Sequence, residues 1–166
     1  MYSIGDRVVY SIHGICSVNH IEQRKVDKKM VSYYVLVPLG NDKTQYYVPV
    51  HNEAALAKMR PLVTKEYVTE LLQQGSVFAD CWIPEENLRK LKYKQITGCV
   101  DFEATLQMVC TLHRHRLQQL ESGRKFHMCD ENFLRDAQRL VESELSVVLD
   151  IPVTEVFPFL QQYCEQ

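Results

Sequence analysis

The strongest constraint on this chain is a change in its apolar periodicity shortly after residue 60. Before that point apolar residues come in short runs or alternate one by one, broken every few positions by turn-forming residues. Beyond it they recur at three and four. The first pattern is that of strands and the second that of helices. Gly5-Asp6 and His13-Gly14 bracket the β-favouring run Arg7-Val8-Val9-Tyr10. A second strand is expected from Ile15 to Glu22, and Arg24, Lys25, Lys28 and Lys29 are expected to form a basic hairpin tip. The run Val31–Val37, β-branched and aromatic, is closed by Pro38 and the turn residues Gly40-Asn41-Asp42. After it, Thr44, Tyr46, Val48 and Val50 alternate with Gln45, Tyr47 and Pro49. Four or five short strands in about 50 residues are too few for a sandwich, so a small, strongly bent SH3- or Tudor-like barrel is the natural closure.

From Pro61 onward the reading is helical. Lys65–Gln74 forms a short helix ended by Gly75, and Ile83-Pro84 reads as the entrance to a helix that reaches about Thr97. A longer helix begins near Asp101, with Phe102, Leu106, Val109, Cys110, His113, Leu117 and Leu120 on one stripe, and stops at Ser122-Gly123. Asp130 is a candidate cap for the next helix, whose Leu134, Ala137, Val141, Leu145 and Val148 share a face. Pro152 opens a last helix toward Cys164. The expected class is therefore α+β: a small barrel at 1–61, then an all-α helical bundle at 62–166, of which 62–80 is a connecting helix and linker.

Charge narrows the possible functions. Nineteen Lys and Arg stand against 21 Asp and Glu, a formal net of −2, which excludes a protein that coats nucleic acid by bulk charge. The balance is uneven along the chain. Residues 1–61 hold 8 basic and 5 acidic side chains, residues 85–125 again 8 and 5, and residues 126–166 only 2 against 8. No apolar run approaches the roughly 18–20 residues needed to span a bilayer. The first residues lack the pattern of an export signal, so a cytoplasmic protein is expected. The six cysteines are scattered without a Cys-x-x-Cys pair and read as reduced, half-buried thiols.

No catalytic constellation is present: neither a Gly-rich phosphate loop, nor a nucleophile elbow, nor a His-Glu-x-x-His. No cofactor is expected. In His113-Arg114-His115-Arg116 the two histidines lie about 200° apart on a helix and cannot chelate from one face. Cys110 and His113 could share a metal, but two further ligands are not evident, and His113 reads as part of the core stripe.

The segments Gly5-Asp6-x-Val8-Val9-Tyr10-x-x-His13-Gly14, Ile21-Glu22, Tyr33-Tyr34-Val35-Leu36 and Tyr47-Val48-Pro49-Val50 together resemble the N-terminal domain of the CarD/CdnL family of bacterial transcription regulators. Trp82 before a basic helix, the break at Thr97-Gly98, a long helix and the Asp130-Glu131…Ala137…Glu144-Leu145 pattern extend the resemblance through the helical half. The resemblance implies a Tudor-like domain docked on the RNA polymerase β subunit through an exposed strand edge aided by basic residues. It also implies a helical domain touching promoter DNA at the upstream edge of the opening bubble. Arg24 matches one polymerase-contacting position. Tyr47, with its neighbour Tyr46, stands where relatives often carry Arg before Val-Pro.

On this reading Trp82, the only tryptophan, is an apolar wedge in the minor groove, where contact offsets the few kcal/mol that unstacking a base step costs. The alternative is a packed tryptophan between barrel and bundle. Arg89, Lys90, Lys92 and Lys94, extended by Arg124 and Lys125, are candidate phosphate contacts; the alternative is a solvated helix face. So few contacts give weak, non-sequence-specific DNA binding, sufficient if the barrel tethers a monomer to polymerase and supplies a roughly mM effective concentration. The competing function is a protein-interaction module that never meets DNA.

Overall fold

The N-terminal sheet is organised by one long hairpin. In the computed structural model, which describes residues 1–164, β2 (Ile15–Val26) pairs antiparallel with β3 (Lys29–Pro38). Asp27 and Lys28 join the two strands, both at positive φ (46° and 67°). Such a two-residue turn follows the right-handed twist of the strands, so pairing continues to the last residue on each side. The expected wide basic tip is thereby corrected. Arg24 and Lys25 are strand residues on opposite faces, and only Asp27 and Lys28 form the turn. A bulge between Val18 and His20 adds bend to β2.

Three short strands complete the sheet. β1 (Arg7–Tyr10) lies beside β2, β4 (Tyr46–Pro49) beside β3, and β5 (Met59–Pro61) beside β1, giving the antiparallel order β4-β3-β2-β1-β5. Between β4 and β5 runs the one-turn helix α1 (Glu53–Leu56), capped by Asn52, whose side chain accepts from the Ala55 N–H at 3.0 Å. Neither α1 nor β5 shows a sequence period, since three or four residues are too few to display one. One face buries Val8, Cys16, Val18, Tyr34, Leu36, Val48 and Met59 as the core. Burial pushes the Cys16 thiol up to about 11.

The chain divides into two compact units, Met1–Leu62 and Val63–Gln166. In the second unit α2 (Lys65–Gln74) starts where the Thr64 hydroxyl accepts from the Tyr67 N–H at 3.1 Å. It ends at Gly75, whose φ of 74° would strain any side chain. Helix α3 (Glu86–Gly98) begins two residues after Pro84. Its cap is the Glu85 carboxylate, which accepts from the Asn87 and Leu88 N–H groups at 3.0 and 2.6 Å. Helix α4 (Phe102–Glu121) is capped by Asp101, which accepts from the Ala104 N–H at 3.0 Å. Between these helices the left-handed conformation falls on Val100 (φ 52°), not on Gly98. For a β-branched residue that costs about 1–2 kcal/mol, held in place here by its burial.

Helices α5 (Met128–Leu149) and α6 (Val153–Cys164) complete the unit; the Cys164 side chain lies outside the described residues. The core joins Val68, Leu71 and Leu72 of α2 to Leu106, Val109 and Leu112 of α4, Leu134, Ala137, Val141 and Leu145 of α5, and Val156 and Leu160 of α6. The expected stripe of α4 needs revision. Thr105, Met108 and Thr111 are also buried, while Leu117 and Leu120 are exposed. The first three turns of α4 are covered on two sides, by α5 and by the segment after α2, so the buried face there is broader than a single stripe. Asp130 is not a cap. It lies in the first turn of α5, and its carboxylate is buried toward α3.

Candidate functional site

Alternation along the N-terminal sheet assembles one polar-aromatic face. The register sets Glu22 opposite Tyr33, Arg24 opposite Val31, and Tyr47 opposite Val35. The Arg24 guanidinium lies 3.9 Å from the centre of the Tyr47 ring, a cation–π contact. Its Nε donates to Glu22 Oε1 at 2.6 Å. His20 Nε2 stands 3.6 Å from the other oxygen of Glu22, and the Tyr47 hydroxyl donates to Gln45 at 2.8 Å. The bond from Arg24 above all, seconded by His20, holds the Glu22 carboxyl below its ordinary range. Tyr46 does not belong to this group. One residue along a strand reverses the side, and Tyr46 turns to the core face beside Tyr10 (5.5 Å between ring centres) and His13 (4.2 Å). From Asn19 to Val26, β2 has only β3 as a neighbour among the described residues, so its other edge is open to a further strand.

In the helical unit, the segment that carries Trp82 is fastened to α4 residue by residue. Arg114 donates to the Phe78 carbonyl at 2.6 Å and Gln107 to the Ala79 carbonyl at 3.2 Å. The Thr111 hydroxyl accepts from the Cys81 N–H at 3.1 Å, and His115 Nε2 meets Asp80 Oδ2 at 3.1 Å. Asp80 in turn accepts from the Trp82 N–H at 3.1 Å. The half-buried indole stacks on the His115 ring, 4.1 Å between centres and 13° from parallel. The Arg89 guanidinium lies 4.3 Å from the centre of the indole ring. Periodicity of apolar residues does not reveal this arrangement, because the side of α4 that faces the loop is polar: Gln107, Thr111 and His115 recur every four residues.

Arg89 corrects the sequence expectation most strongly. Its side chain is only 6% exposed and forms a bidentate pair with Asp130, Nε to Oδ1 at 2.9 Å and Nη2 to Oδ2 at 2.8 Å. Nη1 donates to the Ile83 and Pro84 carbonyls at 2.9 and 3.3 Å. All three nitrogens are therefore engaged within the unit, and Arg89 is not placed to reach a phosphate. At 100° per residue Tyr93 follows Arg89 inward, while Leu88 and Leu91 face solvent. The Tyr93 hydroxyl is buried without a hydrogen-bond partner, and desolvation raises its pKa. Lys90 pairs with Glu86 one turn back at 2.5 Å. Of the candidate cations, Lys92, Lys94, Arg124 and Lys125 remain exposed. Arg116 pairs with Glu131 at 3.1 Å.

His113 is half-buried and stacks on Phe157 at 4.6 Å, and burial lowers its pKa. Among the described residues no group of three or more His, Cys, Asp or Glu side chains is arranged to hold a metal ion. Among the described residues no helix is long and apolar enough to cross a membrane.

A five-stranded antiparallel, barrel-like unit with an open strand edge, followed by a helical unit, defines an α+β chain. Residues 2–63, the N-terminal unit, match the family model of the CarD-like/TRCF RID domain. This supports an RNA polymerase-interacting role for that unit. The match ends where the helical unit begins. A search of curated proteins found no significant match.

Proposed function

We propose that the chain is a transcription regulator. Its N-terminal unit binds the RNA polymerase β subunit, and its helical unit contacts promoter DNA and tunes the lifetime of the open complex. The observation that carries the first half is the RID match at residues 2–63, together with the open edge of β2 beside Arg24 and Tyr47. An extended segment of a partner adds to such an edge through main-chain hydrogen bonds, and side chains beside it set specificity. Arg24 meets Glu22 through Nε. A partner carboxylate on the added strand would meet a cation already held flat by Tyr47.

The DNA contact rests on Lys92, Lys94, Arg124 and Lys125, which are exposed, and on Trp82. Four phosphate contacts give a shallow salt dependence and weak binding on their own. Tethering to polymerase makes that sufficient. Opening is favoured only to the extent that the helical unit binds melted promoter better than duplex. The second reading is a polymerase-bound module without DNA contact. Arg89 favours it, because the central cation of the expected basic face is consumed by Asp130.

Capture of the polymerase β subunit by the full chain tests the first half. Binding lost on Arg24→Glu is the expected result, and no capture by the unmodified chain refutes it. The second half is tested on polymerase–promoter complexes. Lys92→Glu with Lys94→Glu should shorten the open-complex effect while capture of polymerase is retained. An unchanged effect favours the module without DNA contact.

A further inference from the structure

We propose that His115 is a positioning residue for Trp82: protonated and bridged to Asp80, its imidazolium holds the indole against α4, and loss of that proton loosens the ring. The argument starts from the loop itself. Asp80 receives two bonds with different origins, one from the Trp82 N–H on its own segment and one from His115 on α4. The carboxylate thus couples the backbone at Trp82 to the ring that lies against the indole. A neutral imidazole with its proton on Nε2 still donates to Asp80, but a cation does so as a charge-assisted bond, about twice as strong. A cation also gains from lying over the π-face of an indole, which a neutral ring does not. Both gains act on the same side chain, so a single proton tightens both contacts together.

The surrounding charges allow this. Asp80, on the segment before α3, is the nearest anion to His115, at 3.1 Å. Desolvation pushes the Asp80 carboxyl up, but the bonds from His115 and the Trp82 N–H, with the charges of His115 and Arg114, together bring it below its ordinary range. From α3, Arg89 also approaches the indole, but Asp130 of α5 neutralises it. On α4 itself the neighbours of His115 are Arg114, engaged by the Phe78 carbonyl, and Arg116, paired with Glu131 of α5. The His115 side chain is 17% exposed, so its proton exchanges with solvent without opening the core. The bracket lies wholly in the helical unit and holds whether or not Trp82 meets DNA.

Trp82 is the only tryptophan, so the intrinsic fluorescence of the full chain reports on this one ring. A stacked imidazolium quenches indole emission far more than a neutral imidazole does. The emission should therefore fall in one sigmoidal step as pH is lowered and the ring gains its proton. His115→Gln should abolish the step. His115→Phe, which carries no proton and makes no bond to Asp80, should give a pH-insensitive emission. Asp80→Asn should weaken the step, because the charge-assisted bond that fastens the ring is gone. Circular dichroism on each variant confirms the helical fold. A flat wild-type profile, a step that survives both His115 variants, or a step unchanged by Asp80→Asn overturns the proposal.

Discussion

Removing the Asp130 carboxylate should unfold the helical unit far more readily than removing any exposed charge. Asp130 and Arg89 are 2% and 6% exposed and share two short bonds, so Asp130→Asn strands a buried guanidinium. Breaking one side of a buried pair costs about 3–5 kcal/mol. Two backbone carbonyls, of Ile83 and Pro84, still accept from Nη1. The loss should therefore lie near the low end, about 3 kcal/mol, or roughly a hundredfold in the folding equilibrium. With a urea dependence of about 1–3 kcal/mol per molar, the midpoint of the helical transition moves down by about 1–3 M. Urea titration followed by circular dichroism reads that shift. The double variant Arg89→Met, Asp130→Leu should recover much of it, because no charge is then left without a partner. Lys92→Gln, on the solvent side of the same helix, serves as the reference at no more than about 0.5 kcal/mol. An Asp130→Asn shift no larger than that of Lys92→Gln would refute the account of Arg89 as a structural cation. It would also restore Arg89 as a candidate phosphate contact.

Three further outcomes follow from the same geometry. Tyr93→Phe removes a buried hydroxyl that has no partner, so it should leave stability unchanged or raise it by about 1 kcal/mol, read as a higher midpoint in thermal or urea unfolding; a large loss would reveal a bonded hydroxyl. At pH 8 iodoacetamide should label exposed Cys99 well before Cys16, whose thiol, pushed up to about 11, is only about a thousandth thiolate, with peptide mapping as the readout. Equal labelling of the two would place Cys16 outside the core. Asp101→Ala removes the acceptor for the Ala104 N–H at the start of α4 and should cost about 1 kcal/mol, whereas Asp101→Ser or Asp101→Asn should cost little in the same unfolding assay.

The division between what is local and what is not runs through the candidate site itself. Helix α2 is legible to the residue: Thr64, Gly75 and the apolar pair Leu71-Leu72 are local signals that act within one turn. The alternation that separates Tyr46 from Tyr47 is equally local, although only the register shows that Tyr47 and Arg24 meet. Arg89 is different. A Lys/Arg run on a predicted helix reads as a solvated or phosphate-facing surface, since an isolated buried guanidinium is prohibitively costly. What lowers the cost is Asp130, 41 residues away, whose own position looked like a helix cap.

Trp82 belongs to the same class. Its chemistry as a large flat apolar ring is plain from the sequence, and so is its place ahead of a basic helix. Whether the ring is loose or stacked depends on Gln107, Thr111 and His115, polar residues that apolar periodicity passes over. The longer strands and the two ends of α2 are open to reading because hydrogen bonds and side-chain periods act over a few residues. The ion pair under α3 and the bracket on the indole belong to the tertiary structure, because each is formed by groups that only the packing of α3, α4 and α5 brings within 3–4 Å.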